Sequence, residues 1–128
     1  MKIEHIAFNV ADPPAVAAWY VRHLGMKVAR SEGAPVYGHF LLDSSRAVSV
    51  EIYRNTSAPI PEYAAASPAV MHLAFLADNV SDQRGRLIAA GATAEGEVTL
   101  TPAGDEVAML RDPWGLPIQL VRRAKPMV

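Results

Sequence analysis

The 128-residue sequence predicts an α+β fold of two tandem β-α-β-β-β modules, and three observations predict it. Short runs alternate apolar and polar residues with period two. One amphipathic helical stretch follows the first run of each half. The landmarks of the first half then return in the second at a nearly constant offset. His-Ile-Ala-Phe beginning at His5 is answered by His-Leu-Ala-Phe at His72, 67 positions on. Leu24-Gly25 is answered by Ala90-Gly91 at an offset of 66, and Val50-Glu51-Ile52 by Ile118-Gln119-Leu120 at 68. An offset shared within one residue by strand, helix stop and strand marks a duplicated unit.

Taken in order, residues 3 to 10 alternate as a strand. Asp12 offers an N-cap oxygen, and Pro13 and Pro14 suit a first helical turn, where a missing N–H costs little. Val16, Tyr20 and Leu24 recur at helical spacing, and Gly25 supplies the left-handed stop. Strand-like segments follow near 26–30, 37–42 and 47–54, separated by turn formers at Ser31–Pro35 and Asp43–Ser45. A Pro- and Ala-rich joint covers 56–69. Then come a strand from Met71 to Ala77, a helix from Ser81 to Ala90 closed by Gly91, and strands near 92–100, 106–111 and 117–122. Asp112-Pro113-Trp114-Gly115 reads as a tight turn. The predicted organisation is a single domain, 1–128, with modules at 1–55 and 70–123 joined by a linker at 56–69.

Composition narrows the function classes. With 12 Lys and Arg against 13 Asp and Glu the formal charge is −1, and no dense basic run offers a nucleic-acid footprint. There is no cysteine, which excludes disulfides, thiolate metal sites and cysteine nucleophiles. No stretch approaches the ~18 apolar residues of a membrane span. With no charged-then-apolar leader at the start, a cytoplasmic location is the expectation.

Strand alternation assigns faces. Ile6, Phe8 and Val10 share the side beneath the helix, and His5, Ala7 and Asn9 take the other. Leu73 and Phe75 repeat the first set, His72 and Ala74 the second. Glu51 lies between Val50 and Ile52, and Gln119 between Ile118 and Leu120, so each polar residue turns away from its module's apolar layer. A sheet with one helix covers only one face, and the symmetric way to use the other is to face the second module. Two imidazoles, a carboxylate and a carboxamide then share one concave surface. Such donors suit Zn²⁺, Ni²⁺, Co²⁺, Mn²⁺ or Fe²⁺.

These residues resemble the glyoxalase, bleomycin-resistance and extradiol-dioxygenase superfamily, the vicinal oxygen chelate fold, from His5 to Arg122. The marks are the His-Ile-Ala-Phe opening, Trp19-Tyr20 to Leu24-Gly25, Glu51, His72, and Asp112-Pro113-Trp114-Gly115 with Ile118-Gln119. The resemblance implies metal ligands at His5, Glu51, His72 and Gln119, one on the first and one on the last strand of each module. Many bacterial glyoxalase I proteins carry glutamate where this chain has Gln119. Asn55 resembles the asparagine that helps hold glutathione there, whereas Asn9 stands where glyoxalase I usually has an arginine for a glutathione carboxylate. The expected substrate is therefore a different small molecule, with Asn9, Tyr53 and Asn55 placed to touch it.

What the resemblance implies is a metal-dependent lyase, isomerase or dioxygenase whose substrate chelates the cation through adjacent oxygens, with Glu51 as the catalytic proton shuttle. A dioxygenase would use His5, His72 and Glu51 on Fe²⁺ and would want a further acid-base histidine, for which His39 is the one loose candidate. The rival is a metal-free binding protein of the bleomycin-resistance type, its cavity lined by Trp19, Tyr37, Tyr53 and Trp114. Small members of the family are usually homodimers with the site between subunits, and Pro59, Pro61 and Pro68 in the joint favour such an extended crossing.

Overall fold

A computed structural model of the chain describes residues 1–127. The backbone divides into two compact units, one spanning Met1–Pro61 and one beginning at Glu62.

The first unit contains β1 (His5–Asn9), α1 (Pro13–Leu24), β2 (Lys27–Ser31), β3 (His39–Leu42) and β4 (Ser49–Tyr53). Its sheet has the order β1-β4-β3-β2, with β1 parallel to β4 and the other pairs antiparallel. α1 begins where its capping residues predict. Asp12 accepts the Ala15 N–H at 3.1 Å, and two prolines occupy the first turn without sacrificing a helical hydrogen bond. It ends at Gly25, whose φ of 69° is a left-handed conformation that glycine adopts without a Cβ penalty. Arg22 and His23 lie in the last turn, where the helix dipole is negative. The helix buries Pro13, Val16, Ala17 and Tyr20, a stripe at i, i+3, i+4 and i+7, against Phe8, Val10, Leu41, Val50 and Ile52. Truncating one of the larger fully buried residues, such as Leu41 or Ile52, would cost about 2–5 kcal/mol. Ile6 departs from its expected burial and is 45% exposed, because the apolar layer covers the C-terminal half of β1 rather than its start.

The second unit contains β5 (Leu73–Leu76), α2 (Val80–Ala89), β6 (Thr93–Leu100), β7 (Glu106–Arg111) and β8 (Pro117–Arg122). Its sheet repeats the topology as β5-β8-β7-β6, again with the first and last strands parallel. The cap of α2 is Asn79, whose side chain accepts the Asp82 N–H at 2.9 Å, so the helix starts one residue before the expected Ser81. The core includes Val80, Leu87, Ala108, Leu110, Leu116, Ile118 and Leu120.

The duplication extends to strand register. Ala7 pairs with Glu51 as Ala74 pairs with Gln119; Phe40 pairs with Glu51 as Met109 pairs with Gln119. The buried pairs Leu41–Val50 and Leu110–Ile118 match in the same way.

The joint is ordered by each unit in turn. Asn9, buried at the end of β1, donates from Nδ2 to the carbonyls of Asn55, Ala58 and Pro59 at 3.1–3.4 Å and accepts the Asn55 N–H at 2.8 Å. Further on, a 3-10 turn at Tyr63–Ala65 packs in the second unit. The Arg111 guanidinium donates to the carbonyls of Tyr63, Ala66 and Gly115 at 2.9–3.2 Å and pairs with Glu95. Gly115, at φ 90°, passes so close to this turn that a Cβ would lie 2.7 Å from Ala64. The predicted tight turn is held by buried Asp112, whose Oδ1 accepts the N–H groups of Trp114 and Leu116, both at 2.9 Å.

Candidate functional site

In the first unit, β1 and β4 carry the site residues on the face away from α1. Parallel pairing sets Glu51 opposite Ala7, two residues along from His5. Nε2 of His5 stands 3.5 Å from a carboxylate oxygen of Glu51, with the two side chains 40% and 20% exposed. Nδ1 of His5 is bonded to the Glu4 carboxylate. That bond raises the His5 pKa above the ordinary imidazole value, and the negative charge of Glu51 adds to it more weakly. The ring meets Phe40 edge-on at a centroid distance of 5.8 Å, and Arg30 lies over the same phenyl ring at 5.8 Å. Nothing in the linear pattern marks Phe40 or Arg30. They reach the site through cross-strand register, Arg30 opposite Phe40 and Phe40 opposite Glu51, which periodicity along one strand does not reveal.

In the second unit, His72 immediately precedes β5, two residues before Ala74, and Ala74 is paired with Gln119. Its Nδ1 lies 2.8 Å from the Pro68 carbonyl. Gln119, half-buried on β8, donates from Nε2 to the Met109 sulfur at 3.5 Å, which leaves the amide oxygen free to accept a hydrogen bond or to ligate a cation. Met109, the counterpart of Phe40, is another residue that only register reveals.

Each module thus presents one imidazole and one side-chain oxygen at equivalent positions. Among the described residues, no group of three or more His, Asp or Glu gathers to hold a metal. The donor types in each unit are nonetheless ones a borderline divalent cation takes: an imidazole with a carboxylate in the first, an imidazole with an amide oxygen in the second.

The residues expected at a substrate fall at one end of the first sheet. Asn9 is pinned beneath residues 55–59 by its four hydrogen bonds. Asn55 gives its N–H to Asn9 and accepts the Ser57 N–H on Oδ1 at 2.9 Å. Tyr53 ends β4 opposite Asn9, half-buried, on the same side of the strand as Glu51. A separate cavity of about 420 Å³ opens in the second unit, with Ala74, Leu76, Val121, Arg123, Pro126 and Met127 in its lining. The C-terminal part of that wall is tied down by Asp105, which pairs with Arg123 at 2.7 Å and accepts the Ala124 N–H at 2.9 Å. No described helix is long and apolar enough to cross a membrane.

Comparisons with known proteins agree with this architecture. No curated protein matches the chain in sequence. A glyoxalase family protein from Enterococcus faecalis is 25% identical, with a TM-score of 0.72, the match covering 94% of this chain and 97% of that one. An antibiotic binding protein from Streptomyces sp. CB03234, TnmS3, shares the fold at 19% identity and TM-score 0.74, with 97% of each chain covered. A glyoxalase I variant from Zea mays shares it at 22% identity and TM-score 0.76, 97% of this chain matching 46% of that longer one. The sequence model of one family matches residues 2–120, almost the whole chain. With its two equivalent β-α-β-β-β modules, the chain belongs to the Glyoxalase/Bleomycin resistance protein/Dioxygenase superfamily.

Proposed function

We propose that the chain is a metal-dependent, glyoxalase-like enzyme, a lyase, isomerase or dioxygenase, for a small substrate carrying adjacent oxygen atoms. The observation that carries this reading is the His5–Glu51 pair, Nε2 to carboxylate 3.5 Å, on the open face of its sheet, with His72 and Gln119 at the register-equivalent positions of the second module. His5, Glu51, His72 and Gln119 would hold the cation, which when bound would polarise the substrate's vicinal oxygens as a Lewis acid. We assign proton transfer to Glu51, whose carboxylate is only partly exposed and faces an imidazole. Asn9 acts through the loop it anchors, while Tyr53 and Asn55 stand at the end of the sheet where the substrate would be sensed. Arg111 is committed to Glu95 and three backbone carbonyls and serves the scaffold.

A second reading, a metal-free small-molecule binder, is favoured by the largely apolar cavity beside Ala74 and by the fold shared with an antibiotic binding protein. Metal content separates the two. After growth with supplied metal, the purified protein should retain divalent cation. His72→Ala should lose most of it, since an imidazole is not replaced by the remaining groups, whereas Gln119→Ala should lose less because water can replace a neutral amide. Equal, near-zero content in all three proteins would favour the binder.

A further inference from the structure

His5, His39 and His72 are each held on Nδ1, and one of these three holders differs in kind. His72 lies against the Pro68 carbonyl at 2.8 Å and His39 against the Tyr37 carbonyl at 2.7 Å. A carbonyl oxygen only accepts, so each neutral ring carries its proton on Nδ1 and its lone pair on Nε2. His5 is held instead by the carboxylate of Glu4, the residue before it, and turns Nε2 toward Glu51. A carboxylate fixes the same tautomer and also makes Nε2 a stronger donor, the role carboxylates play behind metal-bound histidines.

We propose that Glu4 is a positioning residue for His5, locking the Nδ1–H tautomer so that Nε2 is the atom offered to the site. Nothing in the sequence sets Glu4 apart, and only the bond to the ring gives it this role. The affinity consequence rests on the proposed metal site. The tautomer consequence belongs to the chain alone.

Long-range ¹H–¹⁵N spectra of the ring nitrogens test the tautomer, recorded on the metal-free, full-length protein at a pH above the imidazole range. In the wild type, His5, His39 and His72 should all show protonated Nδ1 and bare Nε2. In Glu4→Ala only His5 should drift toward the mixture of a free imidazole, with His39 and His72 as internal controls. Titration with Zn²⁺ alone should then show affinity falling about 10–100-fold in Glu4→Ala, and part of it regained in Glu4→Gln, which keeps an accepting oxygen. A His5 ring unchanged in Glu4→Ala, or one that moves together with the two controls, overturns the inference. A wild type with no Zn²⁺ affinity whose His5 tautomer still responds to Glu4→Ala sinks the metal reading and leaves the role of Glu4 standing.

Discussion

The side-chain oxygen of Asn9 accepts the backbone N–H of Asn55 at 2.8 Å, joining the end of β1 to a loop 46 residues away in sequence. With its Nδ2 spent on three carbonyls of the same loop, Asn9 makes the backbone of residues 55–59 part of the first unit's packed structure.

Asn9→Ala should therefore destabilise the protein by about 1–3 kcal/mol, the cost of leaving buried backbone groups without partners. Urea denaturation reads the loss, and hydrogen exchange should locate it at the Asn55 amide. Unchanged exchange at that amide would show that the loop is held by something else.

Glycines in the second unit should respond to substitution in opposite senses. Gly115→Ala places a Cβ 2.7 Å from Ala64 at φ 90° and should cost about 2–4 kcal/mol in strain and overpacking. Gly85 lies inside α2, with nothing within 4 Å of the point a Cβ would occupy. Gly85→Ala should therefore give a gain of roughly 0.5–1 kcal/mol. Thermal melts of the two variants check both signs at once.

The hold on the C-terminal wall of the cavity should fade in acid. Asp105 has its pKa lowered, first by the Ala124 N–H and then by its bond to Arg123. A carboxyl group with a depressed folded-state pKa contributes its full stabilisation above the ordinary carboxylate value and loses it as pH falls through the depressed one. The Ala124 amide resonance should be constant at neutral pH and move only below the usual carboxylate range. In Asp105→Asn that acid transition should vanish.

Assembly is tested by mixing. If two chains form a two-fold dimer whose sites each take His5 and Glu51 from one chain and His72 and Gln119 from the other, both lesions of a His5→Ala and His72→Ala heterodimer fall in one site. The other site is intact. Metal binding should partly return on mixing the two single variants. Subunit exchange without any return would assign each site to a single chain.

Much of this molecule is legible in the sequence because strand alternation and helix capping are local. Asp12, Gly25, Val50-Glu51-Ile52 and Ile118-Gln119-Leu120 declare their structure to their immediate neighbours. What is not legible depends on which strand lies beside which. Phe40 and Met109 join the candidate site only through their pairing with Glu51 and Gln119. Residues 56–69 read as a plain linker because their anchors, Asn9 at one end and Arg111 at the other, lie far away along the chain. Ile6 fits the alternation and is exposed nonetheless, since alternation assigns a face but not how far the opposing helix reaches.

The parallel pairing of first and last strands also has a kinetic side. In each module the helix and the meander of the last three strands are made from contacts close in sequence, whereas β1 meets β4, and β5 meets β8, only after a long loop has closed. Non-local pairings bear the largest closure entropy and govern slow folding. His5 and Glu51 are neighbours across that pairing, so a chain in which they can act together has already completed its most demanding step. Acquisition of the paired site during refolding would then report closure of the entire module, a sharper signal of native topology than the recovery of helix or strand content.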